Sequence, residues 1–127
     1  MNEAQINVTV IYAKNNVRAA ASANVLISVD EGATQVCHQT QNIGVGGEAI
    51  DIGDVGILNQ SILFLRNLST DKTVSITRSD ADNAEYMLPG ESWGPVRMDG
   101  ALLGHLRLGV PSGTADVEVL VFQAAVV

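Results

Sequence analysis

The stretch DVEVLVFQ, residues 116–123, alternates between polar and apolar side chains over its first half and is apolar on both faces over its second half. Val117, Val119 and Val121 share one face, which is the period-two pattern of a β-strand packed on a core. The opposite face begins with charged residues and continues with Leu120 and Phe122. The stretch therefore predicts a strand with one core face and a second face that becomes apolar toward its end.

The same alternation recurs along the chain at the short, regular spacing that is typical of a sandwich or barrel. In residues 6–12 it places the apolar even-numbered positions on one face, which we expect to lie in a core. Residues 17–29 are rich in alanine but lack an apolar helical stripe, and they favour a strand pair with small side chains. The further predicted strands are 35–41, 48–52, 61–67, 73–77, 85–88, 93–98, 102–108 and 116–123.

Turn residues separate these segments. Lys14-Asn15-Asn16 supplies a turn after the first strand. In Leu88-Pro89-Gly90-Glu91, proline presets the φ of the second position and glycine supplies the positive φ of the third. The second segment therefore predicts a type II turn.

No stretch of ten or more residues carries a convincing amphipathic helix, so the sequence offers no helical layer to cover a sheet. The remaining solution is one sheet packed on another. We predict an all-β fold with one domain over residues 1–127. Its expected architecture is a two-sheet antiparallel β-sandwich, jelly-roll-like, with roughly 8–10 short strands.

Composition and charge exclude several classes of partner. The 127 residues include 14 acidic and 7 basic side chains, a net charge of −7, with no basic cluster to neutralise phosphates. No apolar run approaches the ~18–20 residues of a membrane span. The first residues carry an acid and lack an apolar h-region. We therefore expect no nucleic-acid binding, no membrane association, no signal peptide and synthesis in the cytoplasm.

The residues that could carry chemistry are few and scattered. Cys37 and His38 are adjacent on a predicted strand, so their side chains point to opposite faces and cannot pair. His105 is expected at a solvent-facing strand position. Residues 80–91 have the length of an EF-hand loop but place alanine and glutamate where the loop needs a ligand and glycine. We predict no catalytic residues, no metal site and no cofactor.

Interface residues are the more promising candidates. Trp93 is the only tryptophan and lies beside Gly94-Pro95, where its ring can cap the core or anchor a neighbour. The end of the chain carries no side-chain charge, and burial against a partner would keep it from aggregating. The candidate interface residues are Trp93, Leu120, Phe122, Val126 and Val127.

From residue 50 to residue 122 the order of elements resembles a group of small tailed-bacteriophage virion proteins with a β-sandwich or jelly-roll fold. In those proteins a strand ending in Arg-Asn-Leu leads through a polar turn to a second strand. A Pro-Gly-Glu reversal then precedes a strand with arginine, and an aliphatic strand closes the sheet. Gly94 and Pro95 interrupt the strand that follows the reversal here. The motifs are Ile52-Gly53-Asp54-Val55-Gly56, Leu63-Phe64-Leu65-Arg66-Asn67-Leu68, Thr73-Val74-Ser75-Ile76, Leu88-Pro89-Gly90-Glu91 with Arg97, and Ala115-Asp116-Val117-Glu118-Val119-Leu120-Val121-Phe122.

The resemblance implies a non-enzymatic virion structural protein, such as a capsid decoration or cement protein on the outer surface of a phage head. Its implied partners are the major capsid protein, or other virion proteins, and further copies of itself, possibly as a trimer. Collar, tail or fibre modules are the near alternatives. A carbohydrate- or receptor-binding β-sandwich module and a small lyase or hydrolase are alternatives from other classes.

Overall fold

The computed structural model describes residues 3–28, 36–53, 60–78 and 83–124, and within these ranges the chain forms ten strands and one short helix. The all-β prediction is confirmed. The elements are β1 Glu3–Lys14, β2 Val17–Ser28, β3 Val36–Ile43, β4 Glu48–Ala49, β5 Gln60–Asn67, β6 Val74–Arg78, β7 Ala84–Met87, β8 Ser92–Asp99, α1 Gly100–His105, β9 Leu106–Gly109 and β10 Ala115–Gln123.

The strands form two four-stranded antiparallel sheets and one hairpin. The first sheet has the order β3-β10-β5-β8, the second has the order β4-β9-β6-β7, and among the described strands β1 pairs with β2 alone. The two four-stranded sheets pack face to face around one aliphatic core, as predicted for a sandwich. We call these two sheets together the body of the protein.

Strand β10 lies inside the first sheet, paired with β3 on one side and β5 on the other. Val117, Val119 and Val121 are completely buried, so the predicted core face is confirmed. Leu63 and Leu65 of the adjacent strand are buried beside them. Burying each such aliphatic side chain stabilises the fold by about 1.5–3 kcal/mol, so this sheet carries much of the core.

The predicted strand over 102–108 is wrong in its first half. Residues Gly100–His105 form a helix, and strand β9 begins only at Leu106. Leu103 is 2% exposed and Leu106 is 6% exposed. Leu103 is therefore buried from the helix, and Leu106 is buried from the first position of β9. His105 lies on the helix instead of at a strand position, although it is exposed as expected.

The first two strands also differ from expectation. Residues 17–28 form one continuous strand, which pairs with β1 along its whole length. The turn between them places Asn15 and Asn16 at φ of 51° and 67°, the left-handed pair of a tight two-residue hairpin turn. The apolar face predicted to lie in the core is instead exposed, since Val10 is 60% and Tyr12 is 54% accessible. The alternation of residues 6–12 predicts that one face of β1 is apolar. Whether that face is buried depends on where the hairpin lies relative to the two sheets, which the alternation does not specify.

Strand β8 forms one edge of the first sheet and contains Gly94-Pro95 near its middle. Its register with β5 shifts between Leu63 and Leu65, opposite this dipeptide. Pro95 has no N–H to donate, which is tolerated at an edge strand. The Gly94-Pro95 dipeptide is therefore accommodated by a β-bulge between β8 and β5, and strand β8 continues to Asp99.

The type II turn is present as predicted. Gly90 has a φ of 82°, and the N–H of Glu91 donates to the carbonyl oxygen of Leu88 over 2.9 Å. The side chain of Glu91 closes the turn from the other side, because its carboxylate accepts from the N–H of Leu88 over 2.7 Å. The turn joins β7 to β8 and so connects the two sheets of the body.

Candidate interaction surface

One face of the β1-β2 hairpin is apolar along most of its length and carries Lys14 beside Val17 at the tip. The register pairs even positions of β1 with odd positions of β2, so their side chains lie on the same side. None of these side chains is buried. We call this surface the apolar hairpin face, and its residues are Ile6, Val8, Val10, Tyr12, Val17, Ala19, Ala21, Ala23 and Val25.

The opposite face of the hairpin is largely polar. Its polar residues are Gln5, Asn7 and Thr9 on β1 and Ser22 and Asn24 on β2. Ile11 and Leu26 lie on the same face and are 61% and 62% exposed. The amide nitrogen of Gln5 donates to Oδ1 of Asn24 across the strands, at 3.5 Å. This is the solvated face of an amphipathic sheet, which usually has a core beneath its other face. Among the described residues, no core lies beneath most of the apolar hairpin face.

The base of the hairpin forms a groove with the outer face of the first sheet. Strand register brings Leu120 opposite Phe64 and Phe122 opposite Ile62, so these side chains make an apolar patch. This hairpin groove has a volume of about 510 Å³, and residues 4–9 line its other side. The apolar second face of β10 that the sequence indicated therefore lies in the groove, partly covered by the chain's own hairpin.

Trp93 lies on the other face of the same sheet. Its ring is partly buried against the core, and its indole Nε1 donates to a carboxylate oxygen of Glu85 at 2.6 Å. It borders a cavity of about 630 Å³ that Arg78 and Arg97 also line. The guanidinium of Arg97 donates to the side chain of Gln60 at 2.9 Å. Trp93 is thus both a core-capping residue and a cavity wall.

The structure brings together only two of the five predicted interface residues. Leu120 and Phe122 share the hairpin groove, whereas Trp93 lies on the opposite face of the sheet. Val126 and Val127 lie outside the described residues. Sequence analysis identified the apolar face of residues 6–12 from its alternation but placed it in the core, so it did not predict the exposed hairpin surface.

Cys37, His38 and His105, which were weighed for chemistry, do not line either cavity. Cys37 is buried and His38 is exposed, on opposite faces of β3 as predicted. Nε2 of His38 lies 2.9 Å from a carboxylate oxygen of Glu118, and Nε of Arg66 lies 3.2 Å from the other. This cluster crosses three neighbouring strands on the outer face of the first sheet.

The described part of the chain shows neither a metal-binding cluster nor a membrane-spanning helix. No group of three or more His, Cys, Asp or Glu side chains there is placed to hold a metal ion. The beginning of the acidic segment 80–91 lies outside it. None of the described segments forms a helix with the length and hydrophobicity that a membrane crossing needs.

Asp51 has a shifted ionisation. The N–H of Gly53 donates to its Oδ1 at 2.9 Å, and this bond, with a further contribution from Gln39, lowers the pKa of Asp51 from its usual 3.8. A lowered pKa stabilises the fold above the ordinary value, and this stabilisation is lost as the pH falls through the lowered value. We expect the carboxyl carbon of Asp51 to titrate by NMR with a midpoint below 3.8.

A control variant separates the two contributions to this pKa. Gln39→Ala removes the smaller contribution and leaves the Gly53 bond, so the midpoint is expected to rise only part of the way toward the usual value. A midpoint at or above the usual value in the intact protein would contradict the assignment.

Comparison of the chain with protein families, curated proteins and solved structures gives no match in any of the three.

Proposed function

We propose that the protein is a non-enzymatic virion structural protein, a decoration or cement protein that binds the outer surface of a phage head. The observation that carries this proposal is an apolar surface outside the core, formed by the hairpin groove and the apolar hairpin face. Exposed apolar surfaces of this kind mark sites of protein association. The resemblance over residues 50–122 supplies the class of particle.

The groove is the part of this surface that we assign to the shell. Leu120 and Phe122 project from strand β10, whose opposite side chains are fixed in the core, so the patch is held rigidly. A rigid patch loses little conformational entropy on binding. Modest affinity at each subunit is multiplied when one homo-oligomer, possibly a trimer, engages several equivalent sites on a shell.

The net charge supports an exterior position. At −7 the protein would be repelled by the phosphates of packaged DNA, whereas an acidic exterior keeps particles apart in solution. An antibody against the protein should therefore label intact particles. Labelling only of opened heads would contradict the exterior position, and labelling only of tails would favour a collar, tail or fibre module.

A substitution in the groove tests the binding surface. Leu120→Asp places a charge in the apolar patch and is expected to weaken co-sedimentation with undecorated heads by tenfold or more. Thr40→Asp is the matched control, since Thr40 is an exposed residue that faces Glu118, outside the patch. Wild-type binding should persist at a few hundred millimolar salt because apolar contacts are not screened. Release by salt, or equal loss in both variants, would contradict the groove assignment.

The cavity beside Trp93 favours a second candidate, a carbohydrate- or receptor-binding module. An indole flanked by Arg78, Arg97 and Glu85 combines an apolar surface with hydrogen-bonding groups, as sites for polar ligands do. A glycan array read with the intact protein tests this candidate. Binding that Trp93→Ala abolishes and Leu120→Asp leaves unchanged would favour it over the decoration protein.

A further inference from the structure

Among the described strands β1 pairs with β2 alone, so the other edge of β1 carries unpaired backbone groups. In a two-residue hairpin the two residues that flank the turn exchange backbone hydrogen bonds, and every second pair beyond them does the same. Lys14 and Val17 flank the turn here, so the even-numbered residues of β1 bond to β2. The odd-numbered residues of β1 therefore direct their N–H and C=O groups to the free edge.

This free edge borders the hairpin groove. The groove is lined by every residue from 4 to 9, odd-numbered and even-numbered alike, and by no described residue of β2. A strand that covered the groove with one face would contribute side chains of one parity. The outward backbone groups of Gln5, Asn7 and Thr9 therefore lie along the wall of the groove. Among the described residues, no hydrogen bond is made to these backbone groups.

The lining of the groove selects an uncharged occupant. None of the described residues that line it carries a charge, so an ion placed there would lose its hydration without gaining a partner. Its floor is apolar, because Leu120, Phe122 and Phe64 project into it from the first sheet. A polypeptide suits both features, since its apolar side chains can cover the floor while the edge of β1 satisfies its backbone.

The geometry of a sheet fixes how such a segment would lie. A strand paired with β1 runs about 4.8 Å from it, in the plane of the hairpin. Its alternate side chains point the same way as Ile6 and Val8, which line the groove, and the others point to the polar side of the hairpin. Residues 4–9 match about 20 Å of extended chain. The fitting segment is thus about six residues long and alternates between apolar and uncharged polar side chains.

We propose that an extended, uncharged segment of a partner protein adds to the free edge of β1 as a third strand and packs its apolar side on the groove floor. In this binding mode the main-chain hydrogen bonds hold the segment, and the contacts of its alternate side chains select its sequence. The inference rests on the proposed function for the identity of the partner, the shell protein of a phage head. It deepens that function by naming the form in which the shell is bound.

Asn7 and Asn24 give a matched test, because they lie directly opposite each other in the hairpin. Both direct their N–H outward, Asn7 into the groove and Asn24 to the edge of β2, so proline at either position removes no bond between the strands. Asn7→Pro should weaken co-sedimentation with undecorated heads by about tenfold or more, since it blocks pairing at the middle of the groove. Asn24→Pro should leave it unchanged. The fluorescence of Trp93 reports whether the body remains folded, because the indole packs against the core.

A synthetic strand tests the same edge without the phage head. The probe is a peptide of about ten alternating valine and threonine residues, with solubilising lysines on a flexible linker. In NMR spectra it should slow hydrogen exchange at the amides of Gln5, Asn7 and Thr9. The amides of Ser22 and Asn24, on the edge of β2, should not change. A control peptide with proline in place of each valine should have no effect, because proline has no N–H to donate.

Three results would overturn the proposal. These are equal effects of the two proline variants on head binding, no protection of the β1 amides by the valine–threonine peptide, or protection of these amides by the protein's own concentration, which would assign the edge to a second copy. Head binding that survives Asn7→Pro but is lost in Leu120→Asp would mean that the shell contacts the groove floor without pairing with β1, so the proposed function would stand alone. Peptide binding at β1 by a protein that does not bind heads would count against the proposed function alone.

Discussion

Replacing Asn67 by leucine is expected to lower the free energy of unfolding by about 3–5 kcal/mol, among the largest effects of any single substitution in this chain. Asn67 is completely buried at the end of β5. Its amide nitrogen donates to the carbonyl oxygens of Lys72 at 2.7 Å and Met87 at 3.0 Å, and its Oδ1 accepts from the N–H of Ser69 at 3.0 Å. Leucine has a similar volume but leaves all three backbone groups without their partner.

The same residue also connects separate parts of the fold through its backbone. Its N–H donates to the carbonyl oxygen of Glu91, and its own carbonyl oxygen accepts from the N–H of Gly90. Through these backbone bonds, Asn67 connects strand β5 of the first sheet to the type II turn. Through its side-chain bonds to Lys72 and Met87, it also connects β5 to the loop before β6 and to the end of β7. Loss of this residue loosens the link between the two sheets.

Denaturant unfolding measures the Asn67 effect. Asn42→Leu is the control, because Asn42 is exposed and makes one side-chain bond, to Asp116 at 2.9 Å. It should cost less than about 1 kcal/mol. If the two variants lost similar stability, the buried amide would not be the connection described here.

Gly94→Ala is expected to destabilise the protein by about 2–4 kcal/mol, because two costs coincide. The φ of Gly94 is 89°, in the region where a side chain is strained. A Cβ at this position would also lie 2.6 Å from the carbonyl oxygen of Leu63, which is backbone of the adjacent strand and cannot rotate away. Relief requires strand β8 to move off β5, at the bulge between them.

Gly46→Ala is the matched control for this prediction. A Cβ there meets no atom within 4 Å, and the residue has no positive φ. We expect a change within about 0.5 kcal/mol in thermal or denaturant unfolding. A Gly94→Ala protein as stable as Gly46→Ala would mean that β8 is free to shift along β5.

Local patterns predicted what is determined locally. Pro89 and Gly90 fix the backbone of their own turn, so the type II turn could be read from four residues. The strand over 116–123 was also predictable, since alternation over several residues distinguishes its two faces. The helix at Gly100–His105 was missed because six residues span fewer than two helical turns, too few for a period to be distinguished.

The candidate site depended on information that the sequence does not carry. Alternation over residues 6–12 identifies an apolar face but not the surface that covers it. Phe64 joins Leu120 in the groove only because β5 and β10 are neighbours, although more than fifty residues separate them in the chain. Asn67 was visible in the Arg-Asn-Leu motif, but its burial follows from three contacts made by distant backbone groups.

The edges of the sheets determine which part of the molecule is at risk of forming fibrils. At one edge of the first sheet Pro95 withholds a donor, and at the other Gln41 of β3 binds the backbone of Ala49 and Asp51. Both features make these edges less suited to pairing with a further strand. The hairpin has no such protection, since residues 4–13 are uncharged, contain no proline or glycine, and pair on one side only. These are the conditions under which chains stack into cross-β structure, so the unpaired edges of β1 and β2 are where we expect fibril formation to begin.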